Sequence, residues 1–268
     1  MSSIVYLTHG GGPLPLLGDP GHQPLVDSLR ELAASLPTPR AILLVSAHWE
    51  TDQAALTGAA VPALIYDYHG FPEAAYRLRY PAPGEPALAA RAAALLGDAG
   101  LPARLDEQRG FDHGMFVPLS LLFPEARVPV VQLSLLNSLD PAAHLEMGRA
   151  LAPLLDEEVM LIGSGSSFHN MAVFRGDADP AALATNRAFE QWLADTCMSP
   201  GLPDAARRQR LQAWREAPGA AFCHPREEHL LPLMVCAGAA TGPADRRYAG
   251  RMGPVEVSSL VWSRAATA

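Results

Sequence analysis

Residues 41–50 read Ala-Ile-Leu-Leu-Val-Ser-Ala-His-Trp-Glu, and this stretch indicates the class of fold. Residues 41–47 form a short apolar run that ends in small residues, which is typical of a buried β-strand. His48 follows the predicted strand directly. The stretch therefore predicts an imidazole at the carboxyl end of a strand.

Similar apolar runs occur along the rest of the chain, and segments with helical spacing separate them. Further strands are predicted over residues 4–8, 128–135, 159–163 and 255–262. Helices are predicted over residues 25–34, 85–96, 141–155, 181–197, 204–214 and 225–237, the third with Asp140 as its N-cap and proline at the first helical position. This alternation predicts an α/β fold in which helices cover both faces of a mixed, largely parallel central sheet.

Neither an internal repeat of 20–50 residues nor a Gly/Ser linker divides the sequence, so one catalytic domain over residues 1–268 is expected. Residues 61–84 are too aromatic and too rich in proline for a regular element. They predict a long irregular loop, which either covers a site or packs on the surface through its own aromatic side chains.

The composition excludes several classes of chemistry. All 20 basic side chains are arginines, so a lysine Schiff base and a P-loop lysine are both excluded. With 49% hydrophobic and 18% charged residues, the chain is expected to form a well-packed globule. A net charge of −8 argues against a nucleic-acid partner.

The cellular location is expected to be the cytoplasm. The three cysteines, Cys197, Cys223 and Cys236, form no CxxC pair and fit a reducing compartment as buried small side chains. The N-terminal sequence does not resemble a signal peptide, and the sequence contains no run of 18 apolar residues. No association with a membrane is expected.

The histidines suggest where the chemistry takes place. His9, His48 and His169 each follow a predicted strand and have small residues beside them. In an open α/β sheet the carboxyl ends of neighbouring strands converge on the crevice where ligands bind. Three imidazoles in one crevice predict a metal site, although any single one of them is more typical of a partly buried histidine that is bonded to the backbone.

Residues 224–229, His-Pro-Arg-Glu-Glu-His, provide a further candidate ligand at the start of the predicted helix 225–237. Neighbours on a helix point about 100° apart, so either Glu228 or His229 is expected to be a ligand, and not both. In Gly-Phe-Asp-His-Gly, either Asp112 or His113 is expected to cap the helix that residues 115–123 suggest, or His113 donates a hydrogen bond to a substrate oxygen.

The remaining histidines are expected to have no role in the chemistry. His22 and His144 flank predicted helices and should be solvated, and His69 should lie on the surface of the aromatic loop, with a position facing the pocket as the alternative.

Six ordered motifs carry a resemblance to a known family: Thr-His-Gly-Gly-Gly-Pro at 8–13, Ser-Ala-His-Trp-Glu at 46–50, Tyr-Asp-Tyr-His-Gly-Phe-Pro at 66–72, Gly-Phe-Asp-His-Gly at 110–114, Gly-Ser-Gly-Ser-Ser-Phe-His-Asn at 163–170 and His-Pro-Arg-Glu-Glu-His at 224–229. Together they span nearly the full length. The chain resembles the DODA-type extradiol aromatic ring-opening dioxygenases, which are class III enzymes related to the catalytic subunit of protocatechuate 4,5-dioxygenase and to the 4,5-DOPA dioxygenases.

The resemblance implies a role for each of five histidines. His9, His48 and one of the pair Glu228 and His229 would bind the metal, with His229 favoured. His169 would be the acid/base or a fourth ligand, and His113 would line the substrate pocket. Fe(II) would support activity, while Zn²⁺ is an alternative occupant because three imidazoles bind either ion.

The implied activity is extradiol cleavage of a 4,5-DOPA-like catechol by O2 to a muconic semialdehyde. His169 would accept a phenolic proton, and His113 would hydrogen-bond the developing oxyanion. The expected oligomeric state is a monomer or a homodimer. A zinc-dependent hydrolase and a non-catalytic protein that binds a metal or an aromatic ligand remain alternatives for the same histidine cluster.

Overall fold

Strand β2 (Ala41–Thr51), which contains the stretch quoted first, lies inside an eight-stranded sheet in the computed structural model, which describes residues 2–176 and 179–264. The other strands of this part of the chain are β1 (Ser2–Thr8), β3 (Ala54–Thr57), β4 (Ala103–Asp106), β5 (Val130–Leu136), β6 (Val159–Gly165), β7 (Arg246–Met252) and β8 (Val255–Arg264).

The strand order is β4-β3-β5-β2-β6-β1-β8-β7. The central four strands are mutually parallel, since β2 pairs in parallel with both β5 and β6, and β6 pairs in parallel with β1. Antiparallel pairs join β3 to β5, β1 to β8 and β8 to β7. The prediction of a mixed, largely parallel sheet is confirmed.

Helices and short 3₁₀ turns connect the strands. The helices are α1 (Gln23–Ser35), α2 (Pro86–Asp98), α3 (His113–Leu122), α4 (Pro141–Leu151), α5 (Met171–Arg175), α6 (Pro180–Met198), α7 (Asp204–Gln212), α8 (Ala220–Cys223) and α9 (Leu231–Ala239). All of β6 and residues 41–47 of β2 are buried, so both faces of the sheet are covered at its centre. The predicted cap of α4 is confirmed, because the Asp140 carboxylate accepts hydrogen bonds from the backbone of Ala142 and Ala143.

One predicted helix starts in the wrong place. The helix expected over 225–237 begins only at Leu231, and residues 225–230 form bends followed by a turn. The carbonyl of Glu227 accepts hydrogen bonds from Leu230 and Leu231, and Pro232, not Pro225, occupies the first helical turn. The prediction that a proline lies at the start of this helix was correct, but that proline is Pro232 and not Pro225.

Three strands were not predicted, and each lies toward an edge of the sheet. β3 and β4 have four residues each, too few for a clear pattern. β7 contains three arginines, and its buried residues alternate with exposed ones from Tyr248 to Met252. Charged edge strands are common because they discourage pairing with other chains.

The aromatic segment 61–84 is irregular, as predicted, apart from a 3₁₀ turn at Glu73–Arg77. Two isolated bridges tie it to the body of the protein, Leu64 to Phe111 and Gly84 to Val130. Within residues 2–176 and 179–264, no helix is long and apolar enough to cross a membrane.

Helices α4 and α9 pack closely because Gly148 has no side chain. A Cβ atom at Gly148 would lie 1.9 Å from the carbonyl oxygen of Val235 and 2.8 Å from the backbone nitrogen of Ala239. Both obstacles are backbone atoms, so the helices would have to move apart.

We predict that Gly148→Ala lowers the free energy of unfolding by about 1–3 kcal/mol, as overpacking of a core does. Gly97→Ala is the matched control, since a Cβ at that helical position meets nothing within 4 Å. This control should gain about 0.5–1 kcal/mol from its higher helix propensity. Urea denaturation measures both, and equal stability of the two variants would contradict the prediction.

Candidate metal and active site

The carboxyl ends of β1, β6 and β2 lie side by side and position three of the predicted histidines. His9 directly follows β1, and its backbone nitrogen donates to the carbonyl of Gly165 at the end of β6 (3.0 Å). His48 lies in β2 where the pairing with β5 shifts between Val45 and Glu50. Such bulges redirect side chains at the end of a strand. His169 lies four residues beyond the end of β6.

Five imidazoles meet at this edge of the sheet. The ring of His48 lies 3.9 Å from that of His113 and 4.9 Å from those of both His9 and His229, measured between centroids. His169 stacks on His229 with centroids 3.4 Å apart and planes inclined by 17°. The structure thus brings together every histidine that the sequence singled out.

The hydrogen bonds of His9 leave one of its nitrogens free for a metal. His9 Nδ1 lies 3.0 Å from Ser164 Oγ, whose own hydrogen goes to the carbonyl of Gly114. His9 Nδ1 therefore carries the hydrogen, and Nε2 is unprotonated. His9 Nε2 lies 3.1 Å from His48 Nε2. Two nitrogens bound to one ion at about 2.1 Å are separated by about 3.0–3.4 Å, so this spacing fits a shared ion.

Burial keeps these rings neutral, as metal ligands must be. Desolvation, followed by repulsion from the neighbouring imidazoles, lowers the pKa of His9 and of His48 well below the usual 6.5. Burial also lowers the pKa of His229, to about 4, despite an opposing hydrogen bond with Glu228. The donor set therefore fits a divalent cation near neutral pH.

His229 and Glu228 both face the site, because the segment that carries them is not helical. The rule that helical neighbours diverge therefore does not apply to these two side chains, and the expectation that only one of them is a ligand stays a prediction. Glu228 Oε1 lies 2.9 Å from Nδ1 of His229 and 2.9 Å from Nδ1 of His169. At the end of β6, Gly165 admits this turn, since a Cβ there would lie 2.1 Å from the carbonyl oxygen of His229.

A second carboxylate holds His113. Asp67 Oδ1 accepts hydrogen bonds from His113 Nδ1 (2.8 Å) and from the His113 backbone nitrogen (3.0 Å). His113 is the first residue of α3, and Asp67 lies in the aromatic loop. Asp67 was not predicted from the sequence, although an acid between two tyrosines of a loop expected to cover a site was an available signal.

Asp112 stabilises the site through hydrogen bonds to its surroundings, and the sequence suggested it only as a possible helix cap. Its buried carboxylate accepts from Ser46 Oγ (2.8 Å), from Arg109 (3.1 Å) and from the Gln132 amide, while Ser46 Oγ accepts from the His48 backbone nitrogen. Burial raises the pKa of Asp112 above its usual value. Asp112 directly precedes α3, but its side chain makes no capping hydrogen bond with the helix. The prediction that the Asp112 side chain caps this helix is therefore wrong.

A cavity of about 400 Å³ opens in front of the imidazoles, lined by Ala47, His48, Glu50, His169, Arg226, Glu228 and His229. Arg226 binds Glu50 through both terminal nitrogens, at 2.7 and 2.6 Å. Arg226, which belongs to the 224–229 motif, is therefore held in the lining of this cavity by Glu50. Arg109 is held by Asp112 and stacks over Trp49 at 4.7 Å.

The aromatic loop packs against His113. The Tyr68 ring lies 5.7 Å from the His113 ring, and it also contacts Phe71 and Tyr76 at 5.4 and 5.5 Å. Tyr68 is buried, and its hydroxyl donates to the carbonyl of Ala75 (2.6 Å). The loop is thus packed by its own aromatic side chains and at the same time contacts a residue of the site.

Two histidines expected in solvent are buried. His22 accepts from the Gly11 backbone nitrogen (3.0 Å) and bonds Asp19 through Nδ1 (2.7 Å), which braces the glycine-rich turn after His9. His144 likewise accepts from the Leu136 backbone nitrogen (3.1 Å). The expectation was wrong because local polarity does not reveal distant backbone donors. His69 is exposed, as predicted.

His224, the first residue of the 224–229 motif, has a structural position. It is fully buried beside Phe189 and Trp214, and its Nε2 donates to the carbonyl of Ser167 at 2.9 Å. This bond holds the segment that leads to His169. Burial lowers the pKa of His224 to about 3.

The chain is similar to several known proteins. Residues 4–258 match the family described as the catalytic LigB subunit of aromatic ring-opening dioxygenase. "Dioxygenase tasH" of Hapsidospora irregularis is 44% identical over 260 residues, which is 90% of this chain and 78% of that protein. The "4,5-DOPA dioxygenase extradiol" of Beta vulgaris is 39% identical over 236 residues, 88% of this chain and 85% of that protein.

The protein of the same name from Escherichia coli K12 is 39% identical over 241 residues, 89% of this chain and 85% of that protein. A crystal structure of an uncharacterized protein from Escherichia coli K12 superposes with a TM-score of 0.76 at 34% identity, covering 98% of this chain and all of the other. Fold and sequence similarity thus extend over nearly the whole chain.

We predict that His224 makes folding sensitive to acid. In the unfolded chain a histidine binds a proton below pH 6.5, whereas folded His224 does so only near pH 3. Its contribution to stability is therefore complete above pH 6.5 and is lost as the pH falls, by about 1.4 kcal/mol per pH unit. Urea denaturation of metal-free protein between pH 7 and 4.5 should show a shallower decline for His224→Gln than for wild type. Parallel curves would contradict this.

Proposed function

The chain belongs to the LigB family of aromatic ring-opening dioxygenases and is a ring-cleavage enzyme, and from this we propose that it is a metal-dependent extradiol dioxygenase that opens a 4,5-DOPA-like catechol beside the diol to a muconic semialdehyde. The observation that carries the proposal is the cluster of five imidazoles at one edge of the sheet, in which the Nε2 atoms of His9 and His48 lie 3.1 Å apart and His48, His169 and His229 line the cavity.

We assign the metal to His9, His48 and His229. His9 and His229 both direct Nδ1 at an acceptor of the protein, which leaves Nε2 for the ion. Glu228 is less suited as the third ligand, because its Oε1 already faces the Nδ1 atoms of His169 and His229. This donor set favours a first-row divalent metal, and we propose Fe(II) for activity with Zn²⁺ as a possible occupant.

When bound, iron(II) with open coordination positions supplies the binding and activation of both the catechol and O2. His169 lines the cavity, and the Glu228 carboxylate at its Nδ1 leaves Nε2 to accept a phenolic proton. We place His169 beside the metal as the acid/base, with a fourth ligand as the alternative that the prediction below tests.

His113 is proposed to orient the substrate oxygen. Its Nδ1 hydrogen is committed to Asp67, so only Nε2 can face the ligand. Donation to a developing oxyanion then requires a proton on Nε2 as well, and the Asp67 carboxylate supplies the negative charge that faces this ring. The aromatic loop would shield the catechol ring from water through Tyr68, which contacts His113.

Other features of the proposal concern the chain as a whole. We take residues 1–268 as one catalytic domain, which the single sheet and the family match over residues 4–258 support. The proposed partners are a catechol and O2, without nucleic acid or membrane, and the proposed state is a monomer or homodimer. A cytoplasmic location is consistent with three buried free cysteines.

We predict that the full chain, reconstituted anaerobically with Fe(II) and then given air, consumes one O2 per catechol and forms a yellow semialdehyde. An oxygen electrode and absorbance spectra measure both. A panel of catechols with neutral, acidic and zwitterionic side chains defines the substrate. Ester or amide hydrolysis by the Zn²⁺ form, without O2 uptake from any catechol, would instead favour a hydrolase. Tight catechol binding without turnover would favour a binding protein.

His169→Ala should lower kcat by about 10²–10⁴, which is the usual contribution of a general acid/base, while most of the metal stays bound. Metal content measured by atomic absorption separates the two roles of His169. Loss of the metal would identify His169 as a fourth ligand and contradict its assignment as the base alone. His69→Ala removes an exposed histidine outside the site and is the matched control.

A further inference from the structure

Glu228 contacts two of the five imidazoles of the site. It is 7% exposed and directly precedes the proposed ligand His229. One of its oxygens, Oε1, lies 2.9 Å from the Nδ1 atoms of both His229 and His169. The two rings stack with centroids 3.4 Å apart. One oxygen thus faces the proposed ligand and the proposed acid/base together.

The chemistry of a carboxylate determines the protonation pattern of this trio. An ionised carboxylate only accepts hydrogen bonds, and one of its oxygens has lone pairs for two donors. Both Nδ1 atoms must therefore carry hydrogen. A neutral imidazole has a single N–H, so both His229 and His169 then present an unprotonated Nε2. The first can bind a metal through it, and the second can accept a proton.

The other carboxylate oxygen of Glu228 takes part in an ion pair. Arg226 Nη1 lies 3.3 Å from Glu228 Oε2, and the same guanidinium binds both oxygens of Glu50. Glu50 lies on β2, two residues beyond His48. Glu50, Arg226 and Glu228 therefore form a series of ion pairs. This series connects β2, which carries the proposed ligand His48, to the turn that carries the proposed ligand His229.

We propose that Glu228 is a positioning residue that sets the tautomer and orientation of His229 and His169 together, and so couples metal affinity to proton transfer. This inference rests on the proposed function, both for His229 as a metal ligand and for His169 as the acid/base, but its His229 part does not depend on the ring-cleavage reaction. Carboxylates that accept the second N–H of a ligating histidine typically contribute 10–100-fold to metal affinity.

The test compares Glu228→Gln, Glu228→Asp and Glu227→Gln in the full chain. Glu227→Gln is the matched control, because the neighbouring Glu227 is bound to Arg215 at 2.6 Å and does not line the cavity. Zn²⁺ affinity is measured by competition with a chromogenic chelator, the coordination sphere by the visible spectrum of the Co²⁺ form, and kcat with Fe(II) at a saturating concentration.

We expect Glu228→Gln to bind Zn²⁺ about 10–100-fold more weakly and to keep a lower kcat even when saturated with iron. The Co²⁺ spectrum of the loaded variant should keep the intensity of wild type, since no ligand is removed. Glu228→Asp should recover part of both losses because it keeps the charge, and Glu227→Gln should match wild type. Circular dichroism of the metal-free variants confirms folding.

Zn²⁺ affinity and kcat of Glu228→Gln within twofold of wild type would overturn the proposal. A Co²⁺ spectrum that reports a changed coordination number would also overturn it, because Glu228 would then be a ligand. If wild type consumes no O2 with any catechol while Glu228→Gln still loses Zn²⁺ affinity, the dioxygenase assignment fails and the positioning of His229 by Glu228 is supported.

Discussion

Four of the five imidazoles in the site have a protein acceptor at Nδ1, and the chemistry of the site depends on this arrangement. Ser164 accepts from His9, Asp67 from His113, and Glu228 faces both His169 and His229. Each of these rings therefore directs Nε2 inward. Because burial keeps the rings of His9, His48 and His229 neutral, they can crowd together without the repulsion that a cluster of cations would suffer.

The hydrogen-bond acceptors of the imidazoles come from separate parts of the fold, so the site forms only when the chain is folded. Ser164 lies in β6, Asp67 in the aromatic loop, and Glu228 in the turn before α9. Burying such polar groups is costly unless each is hydrogen-bonded. The hydrogen bonds that Ser46, Arg109 and Gln132 donate to the buried Asp112 carboxylate offset this cost next to His48. The same bonds make the site rigid.

Sequence patterns predicted the central strands because buried parallel strands have nearly continuous apolar sequences, as residues 41–47 do. The edge strand β7 was not predicted, because its arginines and its alternation of buried and exposed residues leave it without the continuous apolar run of a buried strand. The start of α9 was misplaced because a proline at position 225 and another at 232 give the same local signal, and only the hydrogen bonds of Glu227 select the second.

The amino-acid sequence alone was enough to predict that His9, His48 and His169 lie near the carboxyl ends of strands and so meet at one edge of the sheet, although β2 continues past His48 to Thr51, and its six motifs identified the family. The hydrogen-bond partner of each ring, in contrast, depends on the tertiary structure. His9 and Ser164 are 155 residues apart, and Asp67 and His113 are 46 apart. Local periodicity carries no information on such pairs, because they form only when loops and strand ends are packed together. The tautomer of each ring, and hence its chemistry, is therefore set by the fold.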